Sequence, residues 1–292
     1  MLLADAGYRL IASAVQNTID APDKQRDGVY GTARIMVRFL TNIAAMRWVT
    51  PDGTDDRRPQ FDPDQFIREG KPTLYCLSKE GKGSTGPLLT AMTVAVTEAA
   101  ERYSEQCPYG RLPVPLVLAL DEAANICRWQ NLPDLYSHFG SRGIVPMTIL
   151  QSWAQGEEVW GKAGMTKLWA ASTVKVVGSG VGGGDFLSDL STLIGDWDAP
   201  TLSRSSGGKG QGTSYTAARQ KERILDVADI ASLPKGRAIV LAAGARPALC
   251  ATLPWMSGPD AAAVSGSIAR FDPNATRTLE AVVDPDVEDV AA

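Results

Sequence analysis

Pro115 to Leu120 is an apolar run that ends in two adjacent carboxylates, Asp121 and Glu122. A strand apolar on both faces belongs inside a parallel sheet, and the carboxyl edge of such a sheet is where α/β proteins bind ligands. There the first acid can hold Mg2+ through its water shell. The second can orient or deprotonate an attacking water, so the pair fits a Walker B element of a nucleotide hydrolase. Taken by itself, the pair could equally end a strand and cap the next segment. Its context adds to it. Asn125 follows the acids by three residues, Ser141-Arg142-Gly143 leads into a second apolar run from Val145 to Leu150, and that run delivers Gln151 and Ser152. A glutamine at that point can hydrogen-bond both a γ-phosphate and its attacking water, and so report whether the nucleotide is intact.

Positioning these residues calls for alternating strands and helices. The expected strands are Thr73 to Leu77, Pro115 to Leu120, Val145 to Leu150, Thr173 to Val177, Arg237 to Ala242 and Ala248 to Leu253. An amphipathic helix led by Pro87 and carrying Leu88, Met92, Val96, Ala99 and Tyr103 lies between the first two. Strands alternating with helices predict an α/β fold with a mostly parallel sheet. Ahead of it, helical stripes run over residues 2–19 and from Ile35 to Ile43, broken at Pro22-Asp23 and closed by a polar linker from Asp52 to Pro63.

With 292 residues, 44% of them hydrophobic, the chain can bury a real core. Its net charge of -4 excludes a uniformly basic nucleic-acid coat. Charge is nevertheless segregated. From Pro200 to Arg223, Arg204, Lys209, Arg219, Lys221 and Arg223 stand against Glu222, which predicts a mobile basic loop able to follow phosphates; a solvated linker has the same composition. From Gly258 onward, seven acids face two arginines, which predicts a disordered tail. The four cysteines are widely spaced and His138 is the only histidine, so spacing assembles no zinc site and four reduced cytosolic thiols are expected. No apolar run approaches the roughly 18 residues that would span a bilayer.

The stretch Leu118-Ala-Leu-Asp-Glu-Ala-Ala-Asn-Ile126, then Leu132-Pro-Asp-Leu135, Gly140-Ser-Arg-Gly-Ile144, Ile149-Leu-Gln-Ser152 and Leu233-Pro-Lys-Gly-Arg-Ala-Ile-Val240, resembles the TraG/TraD coupling proteins of type IV secretion. The resemblance runs from Gly70 to Trp255 and includes the segment described as a TraM-recognition domain. It implies a RecA-like P-loop NTPase sheet with flanking helices, in ring-forming ATPases that link a relaxase-bound DNA strand to the secretion channel. On that resemblance Asp121 is the magnesium residue, Glu122 the catalytic base, Gln151 the sensor and Arg142 a trans-acting arginine, with Asn125 beside the nucleotide. An arginine satisfying helix C-terminal carbonyls is an equal reading of Arg142. Ala123 and Cys127 depart from the family's wording.

The phosphate-cradling pattern G-x-x-x-x-G-K-[ST] does not occur; Glu80-Gly81-Lys82-Gly83-Ser84-Thr85-Gly86 imitates its composition without its spacing. The family's order then places the P-loop strand ahead of this chain. Residues 1–58 are expected to be the remnant of a helical insertion plus linker, 59–256 the C-terminal nucleotide-binding portion, and 257–292 the acidic tail. The P-loop strand would lie beside Val145 to Leu150, so without it one side of that strand should seek a partner.

The expected function is a coupling ATPase domain of conjugative DNA transfer, using ATP and Mg2+ and inactive alone. Its expected partners are further copies or a P-loop-bearing partner in a ring, a relaxase or accessory DNA-processing protein, channel components and single-stranded DNA. The expected place is the cytoplasm, at the inner face of the membrane. Two rivals are a non-catalytic recognition adaptor and another ring translocase of the HerA/FtsK type.

Overall fold

A computed structural model describes residues 7–36, 38–78, 84–205 and 214–272. The chain forms a mixed α/β structure that divides into two compact units, Met1–Leu150 and Gln151–Ala292.

The first unit opens with helices α1 (Arg9–Ile19), α2 (Asp23–Met36) and α3 (Ile43–Val49). Helix α4 (Pro63–Arg68) is capped by Asp62, whose carboxylate accepts from the amides of Asp64 and Gln65, with Pro63 in the first turn. It packs on α5 (Gly86–Gln106), which begins at Pro87 as the sequence requires. Strands β1 (Leu116–Leu120) and β2 (Ile144–Thr148) pair in parallel, Leu116 opposite Ile144 and Leu120 opposite Thr148. Their connection carries α6 (Leu132–Arg142), which lies against β2. Leu118, Leu120 and Ile144 are buried, together with Leu132 and Phe139 of α6. Val117, Val145 and Met147 are exposed, so apolar side chains of this parallel pair stand bare.

The second unit holds α7 (Trp153–Ala171), β3 (Val174–Gly178), α8 (Gly184–Ile194), β4 (Asp196–Ser205), β5 (Ser214–Arg223), α9 (Val227–Ala231), β6 (Arg237–Ala242), β7 (Ala248–Ala251) and α10 (Ala261–Phe271). Its core is Val177, Leu187, Leu190, Ile194, Ile230, Leu233 and Ile239, the apolar stripe of α8 set against β3 and β6. Ser191 donates to the Leu225 carbonyl at 2.7 Å, and a reciprocal Asp226–Asp229 capping box starts α9.

Helix α7 is not straight. Gly161 has φ 69° and ψ 167°, and the rings of Trp153 and Trp169 lie 5.6 Å apart. Sixteen helical residues would span about 24 Å. The chain therefore folds back at Gly161, and the two tryptophans close on Phe186, stacked with Trp153 at 4.7 Å. A Cβ at position 161 would meet nothing within 4 Å, so the cost of a side chain there is backbone strain alone. Gly161→Ala should destabilise by about 1–3 kcal/mol, read by urea unfolding followed through tryptophan fluorescence.

Several expectations differ from the observed fold. Thr73 to Leu77 is unpaired, with Tyr75 and Leu77 81% and 89% exposed, because an apolar run becomes a strand only where a neighbour completes its ladder. Among the described residues only β1 and β2 are parallel; β3, β6 and β7 form an antiparallel sheet in the order β3-β6-β7. A short turn between β6 and β7 forces that direction on the second pair. The expected basic loop is largely an antiparallel hairpin of β4 and β5, Asp196 opposite Arg223 and Ser205 opposite Ser214. Alternating Ser and Thr with charged residues suits strands as well as loops, and pairing decided between them. The expected tail begins as helix α10, and residues 273–292 lie outside the described residues. Among the described residues, no helix is long and apolar enough to cross a membrane.

Candidate functional site

Strand β1 delivers its two acids into a tight turn over residues 121–126. Glu122 sits there at φ 51°, a left-handed conformation that costs a bulky L-residue about 1–2 kcal/mol. Such strain persists where the surroundings over-determine it, and they do here. The amides of Asn125 and Ile126 donate to the Glu122 carbonyl at 2.8 and 2.9 Å, and the Ala123 amide donates to the Ile149 carbonyl at 3.1 Å. Ile149 in turn donates to the Leu120 carbonyl, so the turn is tied to the end of β2.

The Asn125 side-chain amide donates to Glu122 Oε2 at 3.0 Å. That bond helps fix the orientation of the carboxylate. Asp121 is exposed at the strand end, Glu122 half-buried, and Ala123 and Ala124 anchor the turn in the interior. The arrangement offers one open carboxylate beside one held carboxylate at the carboxyl end of a parallel strand pair.

A residue missed by pattern reading supports this turn from below. A Cβ on Gly86 would stand 2.8 Å from the Ile126 carbonyl oxygen, so only glycine lets the start of α5 approach the turn so closely. Around it, the Ser78 hydroxyl accepts from the Thr85 amide at 3.0 Å, and the Ser84 hydroxyl accepts from the Gly86 amide at 3.0 Å. The signal lay in the Ser-Thr-Gly run before Pro87, whose composition imitates a phosphate loop without its spacing. Residues 79–83, which include Lys82 of that run, lie outside the described residues. Nearby, Cys127 is buried and its thiol pKa is pushed up by that burial, which keeps it protonated.

Arg142 is placed differently from the acids. It closes α6 just before β2 begins, whereas the acids follow the far end of the parallel partner. Its guanidinium donates to Glu105 at 3.1 Å and to the Ser104 hydroxyl at 3.2 Å, with Glu101 at 4.0 Å. Within one chain, then, Arg142 serves α5 rather than the acid pair. Gln151 opens the second unit, and its Oε1 accepts from the Gln155 side chain at 3.4 Å. Ser152 caps α7 by accepting from the Gln155 amide.

Among the basic residues, Arg219, Lys221 and Arg223 alternate along β5 and so share one face, at intervals of about 6.8 Å. Opposite them in register stand Pro200, Asp198 and Asp196, and Arg223 pairs with Asp196 at 3.2 Å. Arg204 lies on β4 opposite Tyr215, and Lys209 falls outside the described residues.

Residues 115–235, from the start of β1 through the hairpin and α9, match the family model described as the TraM recognition site of TraD and TraG. Over that segment the chain is similar to the TraG/TraD coupling proteins, as the sequence resemblance led one to expect. Among solved structures, the chain is similar to the plasmid coupling protein TrwB in complex with ADP and Mg2+, at 20% identity over 80% of this chain and 50% of that one, with a TM-score of 0.49. It is similar also to TrwB in complex with a non-hydrolysable ATP analogue, with the same identity, coverage and TM-score. An unbound form of the bacterial conjugative coupling protein TrwBdeltaN70 matches at 24% identity over 57% of this chain and 38% of that one, with a TM-score of 0.45. The chain spans about half the length of these solved proteins. No curated protein sequence matches it.

Proposed function

We propose that this chain is the Walker B-bearing part of a coupling ATPase for conjugative DNA transfer, completed by material that carries the phosphate-binding loop. The observation that carries this reading is the strained Glu122, held by Asn125 beside the open Asp121 at the carboxyl edge of β1. Asp121 would hold Mg2+ there. Glu122 would take the proton of the attacking water, Gln151 would sense the terminal phosphate, and Asn125 would keep the base aimed. The metal and phosphates supply charge neutralisation at that centre.

The described residues fit the metal and water side of such a site and contain no phosphate cradle, so ATP binding by this chain alone should be weak. The bare apolar side chains of the β1–β2 pair support incompleteness, since parallel sheets are normally covered on both faces. In the assembled state, copies or a P-loop-bearing partner form a ring at the cytoplasmic face of the membrane. Relaxase or its accessory protein docks on the TraM-recognition segment, channel components receive the complex, and Arg142 turns toward a neighbour's nucleotide. A RecA-like sheet divided at the linker near residue 58 and the tail near 257 is the architecture that goes with this reading.

Two measurements test it. Purified chain alone should show no ATP turnover, and adding the P-loop-bearing half should restore it; turnover that never appears in the combined sample would favour a non-catalytic adaptor. For the hairpin, single-stranded DNA binding should weaken with salt, and changing Arg219, Lys221 and Arg223 together to serine should flatten the log–log slope by about 2. An unaltered slope removes this face of β5 from the DNA path and leaves Arg204 and Lys209 to account for any binding.

A further inference from the structure

Two roles were open to Arg142, capping the carbonyls of α6 or acting on a neighbour, and the end of that helix separates them. Its terminal carbonyls are served by other groups: Arg111 donates to the Gly140 and Ser141 carbonyls, and the Leu112 amide donates to the Arg142 carbonyl at 2.9 Å. The Arg142 side chain is not needed as a cap.

The guanidinium is anchored to α5 instead, along one edge. Nη1 donates to the Ser104 hydroxyl at 3.2 Å and to Glu105 at 3.1 Å, while Nε stands 4.0 Å from Glu101. Residues 101, 104 and 105 are three and four apart, the spacing that sets side chains next to each other on one helix face. Among the described residues, Nη2 donates to no group. A planar guanidinium held along one edge keeps its other edge in a fixed direction. Arg142 also lines a cavity of about 410 Å3, together with Glu101, Tyr109, Leu135, His138 and Ser141.

Of the three anchors, Ser104 is the one that is wholly buried, at 0% exposure. Its hydroxyl donates to the Glu101 carbonyl at 2.7 Å, a common habit of serine in a helix. With its one proton so placed, the oxygen can offer Arg142 only lone pairs, and it therefore selects a donor from a set direction. The Glu105 side chain is 62% exposed, and an ion pair in that setting holds weakly. The buried hydroxyl is what defines the aim.

We propose that Ser104 is a positioning residue for Arg142: with Glu105 it anchors Nη1, so that Nη2 is presented, at the cavity, to the terminal phosphates of a nucleotide bound by a neighbouring subunit. The proposal rests on the trans-acting reading of Arg142 and adds to it a group on another helix. A charge aimed in advance need not reorganise when the reaction occurs, which is what makes it effective.

Three full-chain variants test this, Ser104→Ala, Ser104→Cys and Arg142→Ala. Cysteine fills nearly the same space as serine but accepts only weakly, so it separates the hydrogen bond from packing. In the chain alone, carrying isotope-labelled arginine, the Arg142 guanidinium protons should exchange with water several-fold faster in both serine variants than in wild type. In the sample completed with the P-loop-bearing half, Arg142→Ala should lower ATP turnover by about 10³-fold or more. Both serine variants should lower kcat by about 10-fold to 10²-fold with KM for ATP little changed. A merely structural serine would lower the folded fraction and leave Arg142 exchange and kcat per folded chain unmoved. Serine variants with wild-type exchange and kcat, beside a slow Arg142→Ala, would overturn the proposal and leave the trans reading standing, and so would a Ser104→Cys that behaves as wild type. Turnover unmoved by Arg142→Ala would remove the trans reading, and the proposal with it.

Discussion

Glu122→Gln should lower ATP turnover of the completed assembly by about 10²–10⁴-fold while leaving nucleotide affinity nearly unchanged, because it removes a proton acceptor and keeps an oxygen that Asn125 can still hold. Steady-state turnover and fluorescent-nucleotide binding, measured on the same preparation, separate the two effects. A variant that hydrolyses at the wild-type rate would sink the assignment of the base. The same residue makes a second, independent demand on stability. Ordinarily glycine is less stable than alanine, owing to its greater freedom in the unfolded chain. At φ 51° the order should reverse, with Glu122→Gly about 1 kcal/mol more stable than Glu122→Ala in urea titrations. Both variants lose the Asn125 bond, so that contribution cancels in the comparison. Strain that glycine relieves, at a residue whose carboxylate the proposed chemistry needs, supports the catalytic reading of Glu122 over that of a cap.

The largest expected effect on stability lies at Phe139. Its side chain is 0% exposed and its ring meets that of Trp129 at 5.9 Å. Phe139→Ala should cost about 3–5 kcal/mol, from lost transfer energy together with the cavity left behind. That is a large fraction of the roughly 5–15 kcal/mol by which whole domains are stable. Phe139→Leu retains much of the volume and should cost under about 1.5 kcal/mol. Equilibrium unfolding in urea, followed by Trp129 fluorescence, reads both; equal losses in the two variants would mean that volume is not what this position contributes. Because α6 also carries Tyr136 and Arg142, partial unfolding here should release the Tyr136–Pro146 hydrogen bond and the Glu105 ion pair together.

The strand that ends at the candidate site was legible in the sequence. An apolar run ending in Asp121 and Glu122, with Asn125 one turn further on, needs only local chemistry to be read: an apolar strand, then polar groups where it stops. The helix at Pro87, the strand at Arg237 to Ala242 and the boundary at Pro22-Asp23 were legible for the same reason, since periodicity and breakers act over a few residues. What could not be read were matters of pairing and close approach. Strand direction among β3, β6 and β7, the hairpin in the basic segment, and the absence of a partner for Thr73 to Leu77 each depend on which backbone lies alongside.

Two glycines show the division most plainly. Nothing local distinguishes Gly86 from any glycine before a helix, yet the Ile126 carbonyl forty residues away leaves no room for a Cβ there. Gly161 sits within a helical composition, and only the meeting of Trp153 with Trp169 shows why the chain must turn back at it. Sequence alone determined which residues can do chemistry here, because side-chain type and short-range periodicity are properties of the chain. Tertiary structure decided which of them meet and how Glu122 is strained, because backbone pairing and excluded volume arise only between segments distant along the chain.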